Sequence, residues 1–421
     1  DRIKSEPKHI WSYITDKKKS SGIPGSMKYG HNEFSTPQDI VEGFAQHFSS
    51  VYIKCDGTCD SKYNGCNKSA NTFDHVCCNC DSDNNLLNNV LHKFIVSEKM
   101  ITEAARRIKP NLTMGPDNVP AFVVKDCITC LITPLLHIFN LILKTTNFPT
   151  MWKMSKICPI FKSGCKSDIA NYRPISIICN FAKLFETILY NSVYAHVTPM
   201  INDCQHGFIK GRSTTTNLCE FTQFVSESLE QKYQVDVAYT DLSKAFDKVN
   251  HCLLLKKLHL YGLCDDLLLL FRSLIVGRIQ YIEYKGFKST LYESYSGIAQ
   301  GSNLGPLMFI IFINDIVDYC KINEKSYLYL YADDLKIAQM ICEPKDCELL
   351  QKMLHSLVEW CNKNKLVLNI SKCFVMIFSR KIQDIRFQYL IDGTVLDIKS
   401  DCRDLGIVMD RELSFVPHIN Y

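Results

Sequence analysis

The sequence predicts an α+β protein built round an antiparallel sheet, and three features point to it. Ser326 to Tyr331 alternate tyrosine and leucine, Ala332-Asp333-Asp334 follows, and apolar residues resume at Leu335 and Ile337. Two strands therefore meet in a tight turn that carries adjacent carboxylates. Val235-Asp236-Val237-Ala238-Tyr239-Thr240-Asp241-Leu242 alternates in the same way and Ser243 onward reads as a helical turn, which puts Asp241 at a strand end. Strand-like and helical patterns then alternate from Lys156 to about Leu368, with no internal repeat and no low-complexity block, which argues against a solenoid.

With 421 residues, 46% of them hydrophobic, the chain has room for two or three domains with substantial cores. Lys and Arg number 48 against 44 Asp and Glu, a net charge of +4, so any basic surface for nucleic acid must be local. The 21 cysteines are scattered through a chain too large to need disulfide staples, which favours free thiols in a reducing, intracellular compartment. Asp1-Arg2-Ile3-Lys4 is followed by no apolar signal region, as expected of an internal fragment without a secretory leader. The most apolar stretches, Leu131 to Leu143 and Leu307 to Ile316, carry polar residues or fall short of the roughly 20 residues of a membrane helix. A soluble protein with no membrane partner is the expectation.

Residues 1–94 read as a polar extension with a short helix near Ile40 to Phe48 and a cysteine-dense patch. Ser97 is a candidate N-cap for a helix ending before Pro110, and Gly115-Pro116-Asp117 is a turn. Helices are expected over Ala121 to Cys127 and Pro134 to Lys144, and a strand over Lys156 to Phe161 ending in the Lys162-Ser163-Gly164 turn. Within the patch, Cys55, Cys59, Cys66, His75, Cys77, Cys78 and Cys80 are of zinc-ligand type, but their spacing matches no zinc module, and a loop with incidental thiols is the simpler reading.

The chemistry centres on Asp241, Asp333 and Asp334. Neighbouring carboxylates repel unless a cation sits between them, and hard oxygen donors suit Mg²⁺, which prefers a few carboxylates plus substrate phosphates. Two such ions about 4 Å apart can activate an attacking hydroxyl and stabilise a leaving pyrophosphate. Taken singly each signal is weak, since turns favour Asp for local hydrogen bonds and Asp241 alone could be a surface acid. Ser296 to Pro306, with Gly297, Gly301 and Gly305, would let a backbone or flat ligand approach closely, or would simply connect a strand to the apolar run Leu307 to Ile316.

In order along the chain stand Gly115-Pro116-Asp117, Ala170-Asn171-Tyr172-Arg173-Pro174-Ile175-Ser176, Gln205-His206-Gly207-Phe208 running into Gly211-Arg212-Ser213-Thr214, and Asp241-Leu242-Ser243-Lys244-Ala245-Phe246-Asp247-Lys248-Val249. Gln300-Gly301-Ser302 through Leu304-Gly305-Pro306, Tyr331 to Asp334, Leu368-Asn369 with Lys372, and Leu405-Gly406-Ile407 complete the set. Together they resemble the reverse transcriptases of non-LTR retrotransposons, the LINE-type elements of animals, most closely Jockey-like or CR1-like ones, over roughly Ile95 to His418.

The resemblance implies a right-hand polymerase of fingers, palm and partial thumb with an antiparallel palm sheet. Residues 95–380 would form fingers and palm, and 381–421 the end of the palm and the start of a truncated thumb. It implies RNA-directed DNA polymerase activity on an RNA template and DNA primer with dNTPs and two Mg²⁺ ions, in nucleus and cytoplasm. Asp241, Asp333 and Asp334 would hold metal, joined by the Leu242 carbonyl. Phe246 would be the aromatic gate that rejects a ribose 2′-hydroxyl, though a core aromatic is its plain alternative. Lys162 and Arg173 would meet the triphosphate. Gln300 would pack beside the nucleotide, and Lys372, unless merely a solvated lysine, would protonate pyrophosphate. Lys210 and Arg212 would touch template phosphates, which position without reading sequence.

Ala299 stands where the family commonly has proline, and Thr240 replaces a more usual apolar residue; neither touches the chemistry directly. Nothing resembles the endonuclease that such elements carry ahead of the polymerase. The alternative expectation is therefore an inactive truncated relic that at most binds nucleic acid. An RNA-dependent RNA polymerase shares the paired acids, but Phe246 argues against it.

Overall fold

The structure, a computed structural model, describes residues 22–54, 90–322 and 325–420. The Cys55 to Cys80 patch lies outside the described residues. The first elements are a hairpin, β1 (Met27–Tyr29) with β2 (Asn32–Phe34), and helix α1 (Pro37–Ser49). The Thr36 hydroxyl accepts from the Asp39 amide at 3.2 Å, and Pro37 occupies the first turn, where no amide is needed. Ile40, Val41, Phe44 and Phe48 share one face at helical spacing and pack with Ile157, Ile169, Tyr172 and Ile282. Polar as its composition is, this segment buries an apolar stripe against the first sheet described below.

Helix α2 (Glu98–Arg106) is capped by Ser97, as expected. After α3 (Ala121–Asp126) comes α4 (Ile128–Thr145), which starts six residues before the proline that the sequence offered as its beginning. Pro134 lies inside it at a cost of about 3 kcal/mol. Leu131, Ile132 and Leu135, which pack on the core, offset that cost. By length and apolarity alone α4 could cross a membrane. Its inner face meets the core through Leu135, Phe139, Ile142 and Leu143, with the Phe139 and Phe185 rings 5.1 Å apart.

The chain continues through β3 (Met154–Phe161), β4 (Tyr172–Ile177), α5 (Asn180–Val197), α6 (Thr214–Glu230), β5 (Gln234–Thr240), α7 (His251–Leu260), α8 (Asp265–Ile275), β6 (Arg278–Tyr284), β7 (Phe287–Lys288) and β8 (Tyr292–Ser294). Then follow α9 (Gly305–Ile313), β9 (Ser326–Tyr331), β10 (Asp334–Ile341), α10 (Pro344–Lys363), β11 (Phe374–Phe378), β12 (Leu390–Ile391), β13 (Thr394–Val395), β14 (Asp397–Lys399), β15 (Asp401–Asp404) and β16 (Ile407–Asp410). One sheet has the order β4-β3-β6-β7, with β8 on β6, and its β3–β6 pair is parallel. The second has the order β14-β11-β5-β10-β9 and is antiparallel except where β14 joins β11.

Strand β5 sits in the middle of the second sheet and is buried along its whole length. Its alternation sorts side chains between two cores rather than between core and water. Val235, Val237 and Tyr239 face Phe221, Val225, Met376, Phe378, Cys402 and Met409, while Ala238 joins the core that contains Leu354, Leu357 and Trp360 of α10. Asp236, fully buried, is satisfied by the Tyr389 hydroxyl at 2.7 Å and by Gln234 Nε2 at 2.8 Å. Helix α9 is apolar on every side and buried on every side, as a central helix must be.

The C-terminal hairpin β15–β16 closes one face of this sheet. A buried ion pair fixes it there: Lys336 Nζ on β10 lies 2.7 Å from Asp404 Oδ2, 2.8 Å from Asn217 Oδ1 and 4.5 Å over the Phe221 ring. Removing one member strands the other charge, whereas removing both does not. Lys336→Met is expected to lower unfolding free energy by about 3 kcal/mol in urea titrations, and Lys336→Met with Asp404→Leu to recover most of it. A double variant as unstable as the single one would show that the pair is not what anchors the hairpin.

Candidate active site

The register of the second sheet brings the three aspartates together. Thr240 pairs with Leu335, so Asp241 leaves the end of β5 beside the β9–β10 turn. Tyr331 pairs with Asp334, which makes Ala332-Asp333 a two-residue hairpin loop with Ala332 at φ +57°. Beyond β5 the chain is held by a second strand-like contact: Asn369 N donates to Asp241 O at 2.8 Å and Ser243 N to Val367 O at 2.8 Å. That contact delivers Lys372, whose Nζ lies 3.1 Å from Asp241 Oδ2.

These groups line a cavity of about 980 Å³. Nine residues singled out in the sequence border it: Lys162, Arg173, Asp241, Leu242, Phe246, Gln300, Asp333, Asp334 and Lys372. The β3–β4 pair brings in the first two cations, since Arg173 stands opposite Ile160 and Lys162 follows β3, its amide donating to Asn171 O at 2.9 Å. Phe246 lies on the one-turn helix Ala245–Lys248, stacked on Phe309 of α9 at 4.1 Å and 16°, with Phe208 edge-on at 6.2 Å. Gln300 is fixed by its own carbonyl, which accepts from Ser176 N at 2.6 Å. The next residue must be glycine: φ at Gly301 is +116°, and a β-carbon there would lie 2.4 Å from Ser176 O.

Crowding sets the electrostatics. Asp334 is pushed up to about 6 by desolvation, then by Asp333, Asp241 and Asp404, with Lys336 pulling the other way. Asp333 is raised by desolvation and by Asp241, against its backbone hydrogen bond, Arg173 and Lys162. Lys162 is lowered by burial and by Lys372 and Arg173, while Asp241 and Asp333 favour its charge. Among the described residues no three His, Cys, Asp or Glu side chains close into a ligand cage. The three carboxylates instead offer hard oxygens to a cavity that stays open for substrate oxygens.

Lys210 and Arg212 do not border this cavity. Lys210 is exposed, its amide donating to the Tyr194 hydroxyl at 2.8 Å. The Arg212 guanidinium is turned toward its own loop: it donates to the carbonyls of Asn202, Asp203 and Gln205 and to the Asp203 carboxylate at 2.7 Å. It thus shapes the loop between α5 and α6.

The structure gives roles to residues that sequence reading left without one. Gln205 Oε1 accepts from Gly207 N at 2.7 Å and from Ala332 N at 2.9 Å, bracing the strained turn of the aspartate hairpin. A β-carbon at position 207 would come within 2.2 Å of Ala332 N, so only glycine lets this loop reach the hairpin. Gln205 and Gly207 stand in the Gln205-His206-Gly207-Phe208 motif, but nothing in the sequence says what they touch. Glu186, buried in α5, holds the glycine-rich loop by accepting from Ser302 Oγ at 2.7 Å and Asn303 N at 2.9 Å.

A cavity with paired acids on a sheet hairpin, a third acid on the adjacent strand and cations opposite has the carboxylate arrangement that suits metal-assisted chemistry on phosphates. Residues 162–407, more than half the chain, match the family described as Reverse transcriptase (RNA-dependent DNA polymerase), and the chain belongs to that family. Its relatives are polymerases of insect non-LTR mobile elements. It is 30% identical over 336 residues to the probable RNA-directed DNA polymerase from transposon BS of Drosophila melanogaster, covering 76% of this chain and 36% of that protein. It is 28% identical over 332 residues to the RNA-directed DNA polymerase from mobile element jockey of Drosophila funebris, covering 77% and 36%. The chain thus spans little more than a third of the length of these relatives. Among solved structures, apo telomerase from Candida tropicalis, truncated from its C-terminal domain, superimposes with a TM-score of 0.43 at 13% identity, over 63% of this chain and 54% of that one. The family generally uses divalent metal ions.

Because Asp334 lies above the ordinary carboxylate value, the folded protein binds a proton that the unfolded chain has released between about pH 4 and 6. Stability therefore falls as pH rises through that window and stays lower above it. Asp334→Asn is expected to raise Tm at pH 7.5 and to leave it unchanged below about pH 4. A divalent cation should raise the parent's Tm more than the variant's. Equal Tm values at both pH values would mean that neither burial nor the neighbouring carboxylates raise Asp334 in the folded protein.

Proposed function

We propose that this chain is the polymerase core of an RNA-directed DNA polymerase that copies retrotransposon RNA into DNA by two-metal nucleotidyl transfer. The observation that carries the reading is the convergence of Asp241, Asp333 and Asp334 with Lys162, Arg173, Phe246 and Gln300 on one cavity. The primer 3′-oxygen gives its proton to solvent and bonds to the α-phosphorus of a dNTP, while the bond from that phosphorus to the oxygen bridging to the β-phosphate breaks and releases pyrophosphate. Asp241, Asp333 and Asp334, with the Leu242 carbonyl, would hold two Mg²⁺ ions. When bound, these supply charge neutralisation of the triphosphate and a more acidic primer hydroxyl.

The chain's own groups do the positioning. Arg173 and Lys162 steady the triphosphate, the former by a forked contact. Phe246 is held in place by its stack on Phe309, so its ring can stand against a ribose 2′-hydroxyl. Lys372, at rest beside Asp241, is the acid for the departing pyrophosphate. Lys210 is the template contact of the α5–α6 loop, and Arg212 keeps that loop in shape. A nicked chromosomal strand as primer would require access to the nucleus as well as the cytoplasm.

Primer extension on an RNA template with dNTPs and Mg²⁺ tests the assignment. The chain should extend the primer, and Asp333→Asn should lower the rate by about a thousandfold or more while primer-template binding persists. Binding that weakens steeply with salt, with no extension by the parent, would instead identify a nucleic-acid-binding protein without activity. Phe246→Ala should admit ribonucleotides, measured as the ratio of rNTP to dNTP kcat/KM. An unchanged ratio would remove the gate role from Phe246.

A further inference from the structure

Asp247 has no part in the roles above, yet it borders the catalytic cavity and contacts the glycine-rich loop twice. Its Oδ1 accepts from Gln300 Nε2 at 2.9 Å, and its backbone carbonyl accepts from Ser296 Oγ at 2.8 Å. The residue is itself held by its amide, which donates to Lys244 O at 3.0 Å. Because Ser176 N already pins the Gln300 backbone, the orientation of the carboxamide is the freedom that remains. Asp247 removes it. An ionised carboxylate can only accept, so it selects the rotamer that turns Nε2 toward it and Oε1 the other way.

Asp247 also borders a second, much smaller polar recess, lined by Tyr52, Arg278, Gln280 and Ser296, which leaves it little room to move. Burial pushes its carboxyl up to about 6, while the Gln300 hydrogen bond and Lys244 act in the opposite direction. The Gln300 hydrogen bond thus favours the ionised form, the acceptor that the geometry needs.

We infer that Asp247 is a positioning residue of the nucleotide pocket, fixing the Gln300 carboxamide in the orientation that receives the incoming nucleotide. The inference rests on the polymerase reading of this cavity. A residue that only holds the loop together would alter folding and rate in general, whereas one that acts through Gln300 should alter nucleotide affinity and depend on Gln300 being present.

Steady-state extension with varied dNTP concentration separates these. Asp247→Ala is expected to raise the dNTP KM about tenfold, the scale of a lost hydrogen bond to a charged group, with a smaller change in kcat. Asp247→Asn retains an acceptor oxygen and should recover most of the loss. Gln300→Ala should raise KM similarly, and adding Asp247→Ala to it should cost nothing further. If Asp247→Ala does not fold, the exchanged pair supplies the test: Gln300→Glu alone sets two carboxylates against each other, and combining it with Asp247→Asn should restore KM. A parent-like KM in Asp247→Ala, additive effects of Asp247→Ala and Gln300→Ala, or no recovery in the exchanged pair would overturn the inference while leaving polymerisation intact. A parent that extends no primer would overturn the polymerase reading and this inference together.

Discussion

The pairing of β5 with β10, Thr240 opposite Leu335, is the constraint on which the site depends. It is what sets Asp241 beside Asp333 and Asp334, although more than 90 residues separate them in the chain. A slip of one residue would turn the β5 side chains to the wrong faces, taking Asp236 away from Tyr389 and driving Val235 and Val237 into the opposite core. The register is held because both faces of β5 are core, so each alternate residue has a defined destination.

Bringing three carboxylates into one cavity opposes folding, and the structure spends several contacts on the strain. Ala332 is held at φ +57° by the side chain of Gln205 and the close approach of Gly207. The ammonium of Lys372 lies against Asp241, and Lys162 and Arg173 exert a favourable field on Asp333 from the neighbouring sheet. Two sheets of independent origin in the sequence therefore share one electrostatic problem. The β3–β4 pair supplies cations where the β9–β10 hairpin concentrates negative charge, an arrangement suited to a triphosphate with bound metal.

Support for the reactive groups comes from buried polar residues that the chemistry does not touch. Glu186 ties α5 to the glycine-rich loop, Asp236 is enclosed by Tyr389 and Gln234, and Lys336 with Asp404 fixes the C-terminal hairpin beneath β10. Each is costly to bury alone and specific once paired, which limits the ways in which the surrounding helices can pack.

The sequence by itself determined the local elements of the site. The Tyr-Leu alternation fixed β9, the acidic pair its turn, and Pro306 before an all-apolar run the start of α9, because these depend on period and backbone restriction within a few residues. The order of its motifs also identified the family and nine residues that border the cavity. The tertiary structure decided what those residues touch. Only packing shows that Arg212 donates to carbonyls of its own loop, that α4 runs through Pro134 because its apolar face outweighs a lost hydrogen bond, and that Asp247 faces Gln300. Hydrogen bonds between segments 53 to 153 residues apart leave no period in the sequence, so the distant partners of Gln205, Asp236 and Asp247 could be known only once the sheets had closed.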